Sequence, residues 1–135
     1  MIHVFFNKRG TGKTKAMINL ANEMVAQNKG DMVYIDDDKR PLFELDRRIR
    51  FISTDEFNLK HIESFYGFLC GILSENYDIN TIFIDGLFNI VDENVQNAAQ
   101  LFYYMEKMVK DYNVTFYINI NAEQEIPEYM RKYVA

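Results

Sequence analysis

Asn7-Lys8-Arg9-Gly10-Thr11-Gly12-Lys13-Thr14 separates two segments of different periodicity, and this juncture decides the fold. Residues 2–6 before it are rich in β-branched and aromatic types, the composition of a buried strand. After it, Met17, Leu20, Ala21, Met24 and Val25 recur at helical spacing. In a strand, glycine-bearing turn and helix taken in that order, backbone N–H groups and the positive end of a helix can surround an anion. The spacing matches G-x-x-x-x-G-K-[ST], except that Asn7 stands at the first glycine. Asparagine enters left-handed backbone more readily than other residues with a side chain, so the exchange is expected to be tolerated. On this reading residues 7–14 cradle phosphates, Lys13 reaches the β and γ phosphates, and Thr14 ligates Mg²⁺. The plain alternative is a basic turn with no ligand, against which the flanking strand and helix weigh.

Working outward, the helix is expected to stop at Asn28-Lys29-Gly30, with Gly30 as a left-handed cap. Residues 32–35 form a second apolar run that ends in Asp36, Asp37 and Asp38. Ile49 and Phe51 alternate with Arg48 and Arg50, the pattern of an edge strand exposed on one side. Ser53 and Glu56 have capping-box spacing ahead of a helix carrying Ile62, Phe65, Tyr66, Leu69, Cys70 and Leu73 on one face. Residues 81–84 read as a strand ending in Asp85 and Gly86. Asp92 is a candidate cap for a helix with Val95, Ala98, Ala99, Phe102, Met105 and Val109 at helical intervals up to Asn113. Residues 114–120 give a fifth strand, and Pro127 suits the start of a short helix. This alternation predicts an α/β fold in three layers, with a mainly parallel sheet of about five strands flanked by helices. Any ligand is then expected at the carboxyl ends of the strands.

Composition narrows the function classes. The 135 residues suit a single domain spanning 1–135. Apolar residues make up 48%, which excludes disorder. Strand-like sequence from residue 2, with no run long enough to span a bilayer, predicts a cytoplasmic protein without membrane insertion. The net charge of -5 opposes nonspecific attraction to nucleic acid. Cys70, the only cysteine, lies in an apolar helical run and reads as a core residue. The charges of residues 36–50 are balanced, with Lys39, Arg40, Arg47, Arg48 and Arg50 against Asp36, Asp37, Asp38, Glu44 and Asp46.

Thr81-Ile82-Phe83-Ile84-Asp85 supplies a second candidate motif, a strand delivering one carboxylate. Mg²⁺ keeps several waters and accepts one or two carboxylates beside substrate phosphates, so Asp85 joins Thr14 as a candidate metal ligand. Gly86 follows it, at a position where several ATPase families carry a glutamate. The water-activating group is therefore sought among Asp36, Asp37 and Asp38, with Asp37 taken as the candidate. Asn119 and Asn121 reach the γ-phosphate only if the fifth strand inserts between the first strand and the Asp85 strand. Candidate cations for the transition state are Arg9, Arg40, Arg47 and Arg131.

These two motifs resemble those of the P-loop NTPase superfamily, and the order of strands and helices is similar along essentially the whole chain. More narrowly, residues 7–14, 32–38, 65–69 and 82–86 resemble a group of small bacterial single-domain ATP-binding proteins. The resemblance implies a P-loop sheet, ATP as ligand and Mg²⁺ as its companion, with Lys13 and Asp85 in catalytic positions. Lys8 matches the extra lysine of the variant loop K-G-G-x-G-K-[ST], which reaches across a dimer, although Arg9 replaces one of its glycines. The expected function is Mg²⁺-dependent binding and slow hydrolysis of a nucleoside triphosphate, accelerated by a homodimer or a protein partner. The guanine-recognition pattern N-K-x-D occurs only as Asn28-Lys29-Gly30-Asp31, just before the second strand and so at the opposite end of it from the expected ligand. Two alternatives stay open: a nucleotide-responsive switch centred on residues 36–48, and a small phosphotransferase using Arg40, Arg47 or Arg48.

Overall fold

The computed structural model describes residues 1–7 and 12–134. Lys8, Arg9, Gly10 and Thr11, assigned above to phosphate binding, lie outside the described residues. The strands are β1 (Ile2–Asn7), β2 (Asp31–Asp36), β3 (Ile49–Ser53), β4 (Ile79–Asp85) and β5 (Thr115–Asn121). The helices are α1 (Lys13–Val25), α2 (Ile62–Glu75), the single turn α3 (Leu87–Ile90) and α4 (Ala99–Tyr112). The strands form one five-stranded sheet in the order β1-β5-β4-β2-β3, and every pairing is parallel. The last strand in sequence thus lies between β1 and β4, and β3 is an edge strand as its alternation predicts.

Two apolar cores cover the two faces, which makes the fold a three-layer α/β/α arrangement. On one face Met17, Ile18, Ala21 and Val25 of α1 pack on Met32, Tyr34, Ile49 and Phe83. On the other, Phe65, Leu69 and Leu73 of α2 join Leu101, Phe102 and Met105 of α4 over Val33, Ile35, Ile82 and Ile84. Strands buried on both sides read as continuous apolar runs, and residues 32–35 and 82–84 do so. Among the described residues no helix is long and apolar enough to cross a membrane.

Several local expectations are corrected. Gly30 is not a left-handed cap: α1 ends at Val25, and Ala26 at its end is right-handed. Gly30 instead allows close approach, since a Cβ there would lie 2.6 Å from the Asp78 carbonyl oxygen. Ser53 does not begin a capping box; its hydroxyl bonds Asp55 at 2.7 Å, and α2 starts later, after His61. Asp92 caps no helix, because a 3-10 turn at Val95–Asn97 intervenes, with Asn94 accepting from the Gln96 N–H. Asn113 closes α4 as expected, with φ of 56°.

Candidate functional site

Strand alternation sends one set of side chains to the α1 face, and register aligns them across the sheet. Toward the carboxyl ends this face turns polar, Phe5 beside Asn119 excepted. Asn119 lies opposite Asp85, Asp36 opposite Ser53, and Asn7 opposite Asn121. Of these, Asp36, Asp85 and Asn121 border a cleft of about 900 Å³, with Gly12, Thr14 and Asp37 in its lining, whereas Asn7 and Asn119 line a smaller adjoining pocket with Lys13. The cleft lies at the carboxyl ends of the strands, where a parallel sheet binds ligands.

Asp85 is the hub of the polar row. Its Oδ1 accepts from Asn119 Nδ2 at 2.8 Å and from the Thr14 hydroxyl at 3.3 Å, while Oδ2 accepts from the Tyr34 hydroxyl at 2.8 Å. The four residues come from α1, β2, β4 and β5. Thr14 and Asp85, proposed from sequence as a pair, are brought together. Their oxygens are of the kind a hard divalent cation accepts. Among the described residues no group of three or more His, Cys, Asp or Glu could hold a metal ion by itself. A cation at this pair would therefore draw its other ligands from water or a bound anion.

Lys13 opens α1, and its Nζ donates to Asn121 Oδ1. Burial holds the Lys13 amine below its usual range, opposed by the charge of Asp85. Asn119 Nδ2 also lies 3.4 Å from the Lys13 carbonyl oxygen, whereas its own Oδ1 is buried with no hydrogen-bond partner among the described residues. Gly12 precedes α1 with φ of 71°, so the left-handed position is here. Asn7 instead ends β1 as a paired strand residue, which corrects the reason given for its tolerance.

The three aspartates after β2 differ. Asp36 is buried, and burial followed by the charge of Asp85 pushes its carboxyl up to about 9. Asp37 is half-buried and lines the cleft. Asp38 pairs with Arg40, 2.7 Å from its Nε, and that guanidinium lowers the Asp38 pKa. Gly86 has φ of 69°, and a Cβ there would meet the Asn89 amide nitrogen at 2.8 Å, so the backbone at this position disfavours a glutamate.

No family model matches this chain, and a search of the curated proteins found no match. The site therefore has to be read from its own chemistry. Of the candidate arginines, Arg40 lines the cleft, whereas Arg48 pairs with Asp46 at 2.9 Å and borders a separate groove beside β3. Arg131 pairs with Glu128 at 3.0 Å. Tyr34 was missed by sequence reasoning, because a tyrosine in an apolar strand run carries no mark of a carboxylate on a neighbouring strand.

Proposed function

We propose that this chain is a P-loop protein that binds a nucleoside triphosphate, ATP by preference, with Mg²⁺. It hydrolyses the nucleotide slowly unless a partner or second copy assists. The observation that carries the reading is the convergence of Thr14 at the start of α1 with Asp85 at the end of β4. The position of β5 between β1 and β4 adds to it, because this insertion was the condition for Asn119 and Asn121 to reach a γ-phosphate.

In this reading Lys13 neutralises charge on the β and γ phosphates, and Thr14 and Asp85 hold Mg²⁺, which stabilises charge developing on the phosphoryl oxygens. Asn119 keeps Asp85 in place, and Asn121 gives up Lys13 to the phosphate. Asp36 and Asp37 border the cleft on the side of Asp85. Asp37 is the better placed of the two to meet a water, being partly open to solvent. Arg40 stands at the rim in a pair with Asp38. That tie supports slow turnover until a partner frees the guanidinium or supplies another cation.

The test is binding of ATP, GTP and their diphosphates with and without Mg²⁺, on wild type and Lys13→Ala, following phosphate release in the same samples. The expected result is Mg²⁺-dependent ATP binding that Lys13→Ala abolishes, with little phosphate released. Binding that survives Lys13→Ala would overturn the assignment.

A second reading, a nucleotide-responsive switch, draws on the rim itself. Lys39 spans from the β2 end to the loop after β3, 3.6 Å from Asp55 and 3.5 Å from Glu56. Such exposed pairs are weak and easily exchanged. Hydrogen exchange across residues 36–48 that is unchanged by ATP would exclude this reading.

A further inference from the structure

We infer that Tyr34 is a positioning residue for the cation site, its buried hydroxyl fixing the orientation of the Asp85 carboxylate. The inference rests on the reading of Asp85 as the carboxylate that holds Mg²⁺.

One register row below the polar row, each of the five strands contributes a ring to the α1 face: His3, Tyr117, Phe83, Tyr34 and Phe51 in spatial order. Consecutive centroids are 4.8, 5.1, 5.8 and 6.2 Å apart, so the rings form a continuous ladder under α1. The first three contacts are stacked and the last is tilted, within the range of favourable aromatic pairs.

The ladder explains a ring at position 34 but not a phenol. Position 83, the neighbouring rung, meets the same packing need with phenylalanine. A fully buried hydroxyl loses its hydration and must find an acceptor, and this one finds Asp85 Oδ2 at 2.8 Å. Its effect is to distinguish the two carboxylate oxygens. Oδ2 is tied inward to Tyr34, which leaves Oδ1 on the side of the Thr14 hydroxyl. Burial and the Asp85 charge hold the phenol far above its usual range, so it remains a donor at every physiological pH. Without it Oδ2 loses its donor, and the carboxylate is held through Oδ1 alone, by Asn119 and Thr14. Groups that orient a metal ligand in this way commonly change metal affinity by about tenfold or more.

The test is Tyr34→Phe, which keeps the ring and removes one oxygen. Its control is Phe51→Leu, which disturbs the adjoining rung and leaves the hydroxyl. For each protein the Mg²⁺ concentration giving half-maximal ATP binding is measured, together with ATP binding in chelator and the thermal midpoint. Tyr34→Phe is expected to raise the Mg²⁺ midpoint about tenfold, with chelator binding within about twofold of wild type, as expected when only metal affinity changes. Phe51→Leu is expected to lower the thermal midpoint without moving the Mg²⁺ midpoint. An unmoved Mg²⁺ midpoint in Tyr34→Phe, or equal shifts in both variants, overturns the inference while the nucleotide reading stands. Absence of Mg²⁺-dependent ATP binding in the wild type overturns the nucleotide reading, and the inference with it.

Discussion

Lys13 and Asn121, 108 residues apart in sequence, are joined by a hydrogen bond from the lysine amino group to the asparagine amide oxygen. The end of β5 thus engages the amine, and an incoming phosphate has to compete for it. Asn121→Ala removes one competitor. A net hydrogen bond of about 1 kcal/mol corresponds to about fivefold in affinity, so the variant is expected to bind a nucleoside diphosphate up to about fivefold more tightly. Calorimetry checks this. Weaker binding would mean that Asn121 itself ligates the nucleotide.

The pH dependence of stability in chelator follows from Asp36. Its carboxyl is raised to about 9 in the folded chain, chiefly by burial and then by Asp85, against about 3.9 in an unfolded chain. Between these values the folded state holds a proton that the unfolded state has lost, so stability falls as pH rises. The contribution is fully present below the unfolded value and gone above the folded one. Thermal midpoints between pH 4 and pH 9 are expected to decline in wild type and to decline less in Asp36→Asn. Identical slopes would remove Asp36 as the cause.

Gly12 and Gly30 are both needed, for different reasons. Among the described residues a Cβ on Gly12 meets nothing within 4 Å, yet φ is 71°, so Gly12→Ala costs about 1–2 kcal/mol in backbone conformation alone. At Gly30 the obstacle is the Asp78 carbonyl at 2.6 Å, an oxygen that also accepts from the Asp31 N–H at 2.8 Å. Gly30→Ala must displace backbone where β2 and β4 begin to pair, at a cost of about 1–3 kcal/mol. Urea denaturation of both variants measures the costs. Pyrophosphate binding should weaken in Gly12→Ala and be retained in Gly30→Ala.

Phe83 stands at the middle of the aromatic ladder, fully buried, with Tyr117 on one side and Tyr34 on the other. Phe83→Ala is expected to destabilise by about 3–5 kcal/mol through lost burial and an unfilled cavity. Phe83→Leu should cost less. Chemical denaturation at a single pH ranks the two, and equal costs would indicate that the ring shape contributes nothing.

Those effects separate what could be read along the chain from what could not. Residues 82–84 are apolar at successive positions, so a strand buried on both faces was legible, as was the helical stripe of α1. The pairing of Thr14 with Asp85 followed from two short segments, each interpretable locally. Helix starts were less visible. Ser53 and Asp92 have side chains that cap well, but a capping signal says nothing about the loop or 3-10 turn that intervenes before the helix begins. Strand order was hidden because every parallel connection leaves the chain at the same end of the sheet. The roles of Tyr34 toward Asp85 and of Asn121 toward Lys13 were hidden for a related reason: those partners lie 51 and 108 residues away. Gly30 carried the correct residue type for a cap, but its function depends on Asp78, which no local pattern reveals.

The insertion of β5 also constrains the order in which the molecule can assemble. Strand β1, first in sequence, touches the rest of the sheet through β5, so the first and last strands must meet before β1 has its place. Pairings so far apart in sequence close a large loop and slow folding. Asn119, Asn121 and the seat of Lys13 come into being in that same late step. A chain folded as far as the β4-β2-β3 portion of the sheet already holds Asp85 and Tyr34, but it lacks the neighbours that make them a site. Affinity for a ligand is then an attribute of the completed sheet, and a ligand that binds it draws the final strand pairing forward by mass action.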